Sequence, residues 1–189
     1  MKRIGLAVGL LAAGALSLSA QAPAEKAEIR PFVGAYLPTG PQRDLFKAAA
    51  LFGTQVAAEI DETLHLVGTF AWSPVHNKYA GVDENVSIFS YDLGVEVGVT
   101  RPMANDWLFK PFAGLGVGGR AYEFKATTLS DRSCAAAYGS LGSELQIARM
   151  ALRFEARDNV FCYKSPVAGV DAKTRNDVVL AFGVAYHFR

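Results

Sequence analysis

The chain is poor in cysteine and histidine, nearly neutral, and short of long apolar runs. Two Cys among 189 residues, Cys134 and Cys162, limit it to one disulfide. Nineteen Lys and Arg against 18 Asp and Glu give a net charge of +1, which excludes the broad basic footprint of a nucleic-acid binder. The only histidines are His65, His76 and His187, and no ligand-spaced cluster assigns a metal, a cofactor or a catalytic centre. One acidic string, "DEN" at Asp83 to Asn85, lacks the spacing of a calcium loop. Beyond the first two dozen residues no apolar run approaches the ~20 residues of a spanning helix. Helical membrane proteins are excluded on that ground, and strand-built ones are not. No repeat, linker or second domain is visible.

What is present begins with an export signal. Lys2 and Arg3 precede an apolar run from Ile4 to Leu16, and small residues follow in "SLSAQAPA". A basic start, an apolar middle and an alanine-rich exit describe a secretory signal peptide, cleaved between about residues 20 and 24. The alternative, an uncleaved membrane helix, has too short a run. Without residues 1–24 the chain keeps 17 Lys and Arg against 18 acids, and residues 25–189 form one domain.

Period-two alternation then recurs from Ile29 to the end. "SIFSYDLGVEVGVT" puts Phe89, Tyr91, Leu93, Val95, Val97 and Val99 on one face and Ser90, Asp92, Gly94, Glu96 and Gly98 on the other. A helical period would mix these sets, so the stretch is a strand between two different solvents. The same reading yields eight strands, at 28–37, 51–61, 64–73, 87–100, 107–124, 137–148, 151–161 and 178–188. Short turns fall at Asp61–Thr63, at Arg101–Asp106 and near Arg149. Long loops cover Pro38–Ala50, Pro74–Val86, Lys125–Ala136 and Cys162–Asp177, so both chain ends belong to the short-turn side.

Two all-β architectures fit. A soluble barrel hides its large apolar face inside, and a transmembrane barrel turns that face to lipid. The second face decides between them. It holds Gly94, Gly98, Gly114, Gly116, Gly118, Ala181, Gly183 and Ala185, where a solvated sheet face would favour Thr, Lys and Gln. An eight-stranded barrel has an interior just wide enough for side chains, and small residues there make room for a few long ones. The prediction is an eight-stranded antiparallel up-and-down transmembrane β-barrel. The terminal "VVLAFGVAYHFR" is its closing strand, because a sheet edge left open in hydrocarbon costs several kcal/mol per unpaired group. Aromatics fall where membrane interfaces favour them: Trp107, Phe109, Tyr186 and Phe188 near the short turns, and Tyr36, Trp72 and Phe89 near the long loops.

The stretches "RPFVGAYLPTG", "KPFAGLGVGGRAY", "ALRFEARDNV" and "LAFGVAYHFR" make the chain resemble the small outer-membrane β-barrels of Gram-negative-type bacteria, the OmpA-type transmembrane and OmpX-type group, from Ile29 to Arg189. The resemblance implies a bacterial outer-membrane location, extracellular long loops and periplasmic termini. It implies contact with outer-membrane lipid and lipopolysaccharide, and recognition of the last strand by the barrel assembly machinery. In that family the last strand usually ends in an aromatic, and here Phe188 is followed by Arg189. No peptidoglycan-binding domain is expected.

By strand parity Glu59, Asp92, Glu96, Arg120, Glu144, Arg153, Glu155 and Arg157 point inward. "RFEAR" sets three of them in alternating sign. They read as a packed ion-pair network that fills the lumen and holds register, with an ion path as the alternative. His65 and His187 also point inward, near the short-turn mouth. His76 with Asp83 or Glu84 is the only loose analogue of a lipid-modifying catalytic site. Cys134 and Cys162 are placed in neighbouring long loops, which predicts a disulfide between them, with free thiols as the alternative. The expected role is non-enzymatic, structural or surface-binding through the long loops, towards an extracellular ligand the residues do not name. A narrow pore and a lipid-modifying enzyme are the alternatives.

Overall fold

A computed structural model describes residues 27–76, 78, 85–125, 132–163 and 173–187. The export segment, Asp83, Glu84 and Phe188 lie outside the described residues. Eight long strands are present: β1 (Ala27–Pro38), β2 (Ala49–Glu59), β3 (Leu64–His76), β4 (Asn85–Gly98), β5 (Leu108–Phe124), β6 (Arg132–Ile147), β7 (Met150–Tyr163) and β8 (Lys173–His187). Each pairs antiparallel with its neighbour in sequence, and β1 pairs antiparallel with β8 from Glu28↔His187 to Pro38↔Asp177. The sheet is therefore a closed ring with no free edge, the solution that hydrocarbon demands. A two-residue bridge, Arg101–Pro102, joins β5 within the β4–β5 connection.

The ladder between β1 and β8 skips two successive pairs. Ile29 pairs with Tyr186 and Phe32 with Gly183, but Arg30 and Pro31 have no registered partner on β8. Pro31 has no N–H to donate, so the seam is interrupted where the sequence puts it. At the β2–β3 turn, Asp61 Oδ1 accepts from Thr63 N at 2.7 Å, Thr63 Oγ1 at 2.9 Å and Leu64 N at 2.8 Å. These bonds hold the Asp61 carboxyl below the ordinary carboxylate range. The β6–β7 turn is only Ala148 and Arg149, and it needs Ala148 at φ 58°.

The outward face carries the aliphatic and aromatic residues of the alternation. Leu115, Val117 and Leu141 are 65%, 65% and 67% exposed, which inverts the usual soluble arrangement. On β8 the outward set runs from Val178 to Tyr186, and Asn176 and Thr174 follow it. At ~3.3 Å per residue and a tilt near 40°, this is about 20 Å of height before side chains, close to the ~25 Å apolar band of a transmembrane barrel. Ser133, Asp158 and Thr174 continue outward on the extended ends of β6, β7 and β8, all exposed.

Trp72, Trp107, Phe109 and Tyr186 stand on the outer surface, and Phe89 is half-buried there. Tyr36 does not. It is 3% exposed and faces inward, because β1 buries Glu28, Arg30 and Tyr36 on one parity while Ile29 and Val33 face out. The disulfide expectation is also corrected. Cys134 and Cys162 are both free. They lie within β6 and β7, one residue off direct register, since Ala136 pairs with Phe161. Strand parity puts Cys134 inside with Ala136 and Tyr138, and Cys162 outside with Val160.

Candidate functional site: the filled lumen

Inside the barrel the side chains form two layers. The layer towards the short turns is ionic. Glu28 sits on β1 two residues before Arg30, so both point inward and Arg30 Nε donates to Glu28 Oε2 at 2.7 Å. Arg30 Nη1 reaches Glu96 Oε2 at 3.3 Å, and Glu96 also takes Arg153 in a close pair. Arg153 extends to Glu144 at 3.5 Å and Glu155 at 3.4 Å. Arg157 donates to Glu155 Oε1 at 2.8 Å and to Asp92 Oδ2 at 3.1 Å. Asp92 accepts from Arg120 at 2.7 Å, Arg120 donates to Asn159, and Asn159 donates to Asp177 at 2.8 Å. A chain of alternating charge thus runs from Glu28 at the short-turn mouth to Arg120, and Asn159 extends it to Asp177 towards the long loops.

The ring of strands supplies the fit. The Arg153 guanidinium lies 3.6 Å from the Phe112 ring centroid, and Arg157 lies 3.9 Å from that of Tyr138. Such contacts add roughly 0.5–2 kcal/mol each when desolvated. Tyr138 occupies its place because Gly116 lacks a side chain: a Cβ there would stand 2.6 Å from Tyr138 Cε1. The inward glycines leave room for neighbouring side chains in the same way: Gly53 for the Phe32 ring, Gly142 for the Phe112 ring and Gly98 for Lys110.

The layer towards the long loops is apolar. Tyr36, Val75, Val86, Ile88, Tyr122, Phe124, Ala136 and Phe161 pack there with Phe46, which is fully buried. Phe46 does not belong to a strand. The β1–β2 loop folds over the mouth, with a short 3-10 turn at Gly40–Gln42, and sets Phe46 against Tyr122 at 5.9 Å between ring centroids. Thr39 Oγ1 donates to Asn176 O at 2.9 Å on one side of the mouth. On the other, Lys47 N donates to His76 O at 3.0 Å and Lys78 N to Leu45 O at 2.8 Å. Between the layers is a cavity of about 30 Å³ beside Thr69, Ser90, Asp92 and Arg120, room for about two waters.

Of the eight predicted lumen charges, Asp92, Glu96, Arg120, Glu144, Arg153, Glu155 and Arg157 are buried within this network. Glu59 is half-buried at the end of β2, opposite His65 in register. His65 and His187 are inward at the short-turn mouth as expected. His76 is exposed at the end of β3, and its suggested acid partners lie outside the described residues. The sequence reading missed Glu28, Arg30 and Asp177. The alternation Glu28, Arg30, Phe32, Gly34, Tyr36 against Ile29, Pro31, Val33, Ala35, Leu37 carried the signal for the first two.

No protein-family profile and no curated protein sequence matches the chain. Solved structures do. Neisserial surface protein A is similar over 86% of this chain and 97% of its own, with a TM-score of 0.62 and 12% identity. The outer-membrane protein OprG of Pseudomonas aeruginosa is similar over 89% and 99%, with a TM-score of 0.55 and 19% identity. The N-terminal β-barrel domain of OprF from the same organism covers 87% and 98%, with a TM-score of 0.54 and 13% identity. At these identities the likeness is one of fold: the chain has the eight-stranded barrel fold of small outer-membrane proteins.

Proposed function

We propose that the protein is a bacterial outer-membrane barrel with a non-conducting lumen and a non-enzymatic role, structural and surface-binding, carried by its long loops on the cell exterior. The observation that carries this reading is the filled interior. A solute entering from the short-turn mouth meets paired carboxylates and guanidinium groups, and one entering from the loops meets Phe46. Charged side chains from one mouth and aromatic ones from the other occupy the lumen among the described residues, which weighs against the pore reading. The outward apolar band supports residence in a bilayer. The first long loop is spent on the mouth, which leaves those after β3, β5 and β7 to meet lipopolysaccharide or an extracellular partner. The closing strand β8 is the segment offered to the barrel assembly machinery, and both termini stand on the periplasmic side.

Planar-bilayer recording tests the carrying observation. The folded protein inserts without steady conductance steps, and trimming the loops after β3, β5 and β7 to tight turns removes surface binding while the barrel keeps its heat-dependent gel mobility. Stable unitary steps from the wild-type protein would replace this reading with the narrow pore, and undiminished binding by the trimmed barrel would move the role from the loops to the wall.

A further inference from the structure

One cluster in the lumen has a donor set of a different kind from the arginine–carboxylate chain. At the short-turn mouth Glu28 on β1, Glu144 on β6 and His187 on β8 each bring a ligand atom within 4.8 Å of the other two. His187 Nδ1 lies 3.0 Å from Glu28 Oε1, and its Nε2 lies 3.4 Å from Glu144 Oε1. His65 Nε2 stands 3.7 Å from the same Glu28 oxygen and 3.1 Å from Lys110 Nζ.

A further observation points to a cation. The His187 Nε2, 3.4 Å from Glu144 Oε1, is buried and has no hydrogen-bond partner, so a ligand nitrogen of the cluster itself is left unsatisfied by the protein. An imidazolium at His187 is the protein's own positive charge between Glu28 and Glu144, and a divalent ion held by the same three residues brings one charge more. The His187 side chain is 20% exposed, so an ion arriving from water can reach it.

We propose that Glu28, Glu144 and His187 bind one divalent first-row transition ion at the short-turn mouth, with a water as fourth ligand. One imidazole nitrogen and two carboxylate oxygens are donors such ions accept, and three protein ligands with one open position is a familiar zinc arrangement. Binding displaces the proton that His187 otherwise shares with the two glutamates, so uptake releases a proton when His187 is charged. Glu28 and His187 are registered partners across the β1–β8 seam. The ion therefore ties the first strand to the last and both to β6.

The test is a calorimetric titration with Zn²⁺ of the chelator-treated protein folded in detergent micelles. Wild type takes up one ion per chain. His187→Ala and Glu144→Gln each weaken binding by about tenfold or more, since even partners one shell further out change metal affinity by 10–100-fold. His76→Ala and the double variant Cys134→Ser/Cys162→Ser bind like wild type. The heat-dependent gel shift confirms the fold of each variant, and Co²⁺ absorption of the wild type reports the nitrogen and oxygen ligand set without any substitution. Absence of binding, loss of it in the cysteine variant, a thiolate signature with Co²⁺, or unchanged affinity in folded Glu144→Gln would each overturn the proposal.

Discussion

Arg153 and Phe46 lie buried in opposite halves of one hollow, and different physics holds each in place. Arg153 comes from a strand, touches Glu96, Glu144 and Glu155, and covers the Phe112 ring. Phe46 comes from a loop and packs in a set of apolar side chains with Tyr122 as its stacked neighbour. The ionic half is directional. Its partners come from β1, β4, β5, β6 and β7, and a slip of one residue in any strand would turn its charge out to the apolar face. The apolar half has no such geometry to satisfy, and a flexible segment can fill it. Register is thus specified below and closure above, by separate sets of residues.

That contrast can be broken at several points. Removing one charge should do most. Arg153→Ala leaves Glu96, Glu144 and Glu155 without their shared cation, and breaking a buried pair from one side costs about 3–5 kcal/mol. Urea unfolding in micelles reads this loss. The paired variant Arg153→Met/Glu96→Gln should recover most of it, and no recovery would mean that Arg153 acts through packing on Phe112. Phe46→Ala comes next, at about 3 kcal/mol from the range for buried aromatics. Phe46→Leu should recover more than half, since apolar filling does not depend on ring geometry. Neither change opens a steady conductance, because the ionic half stays intact.

Gly116→Val sharpens the comparison from the side of space. Its Cβ meets the Tyr138 ring that lies under Arg157, and overpacking of this kind costs about 1–3 kcal/mol. The same substitution at Gly139, whose Cβ would meet nothing within 4 Å, should be near neutral. The smallest effect belongs to Asp61, outside both layers. Its carboxyl is held low by the Thr63 and Leu64 donors, so its contribution is present above the ordinary carboxylate range and is lost as pH falls through the lowered value. Protection of the Leu64 amide, measured against its intrinsic exchange rate at each pH, should fall at acid pH and in Asp61→Ala at neutral pH. Equal protection in the variant would show that the turn holds without the carboxylate.

The readable part of this molecule was the part that lies between two solvents. Lipid on one side and a packed lumen on the other impose strict alternation on residues such as Phe89 to Gly98, and the strands and seven buried lumen charges followed from it. Where the strands run past the apolar band, that pressure ends and the pattern fades. Residues 132–136 and 173–177 looked like loop for this reason, and Cys134 with them. Tyr36 has the aromatic character of an interface residue but shares the inward parity of Glu28 and Arg30, and parity decides its side. Phe46 left no trace in any period, since its burial depends on how a loop folds back onto Tyr122 and Phe124. The empty space beside Thr69 and the unsatisfied His187 nitrogen are properties of packing, and no pattern of residue types encodes them.

The registered pair of Glu28 with His187 also bears on how the barrel is put together. These two come from opposite ends of the chain, so until the last hairpin docks, the ionic side chains line an open trough and stay hydrated. Dehydration of these side chains is thereby coupled to ring closure. A chain truncated before Lys173 has no stable seven-stranded form to fall back on, and pulse-labelling during assembly should find either the complete cylinder or none.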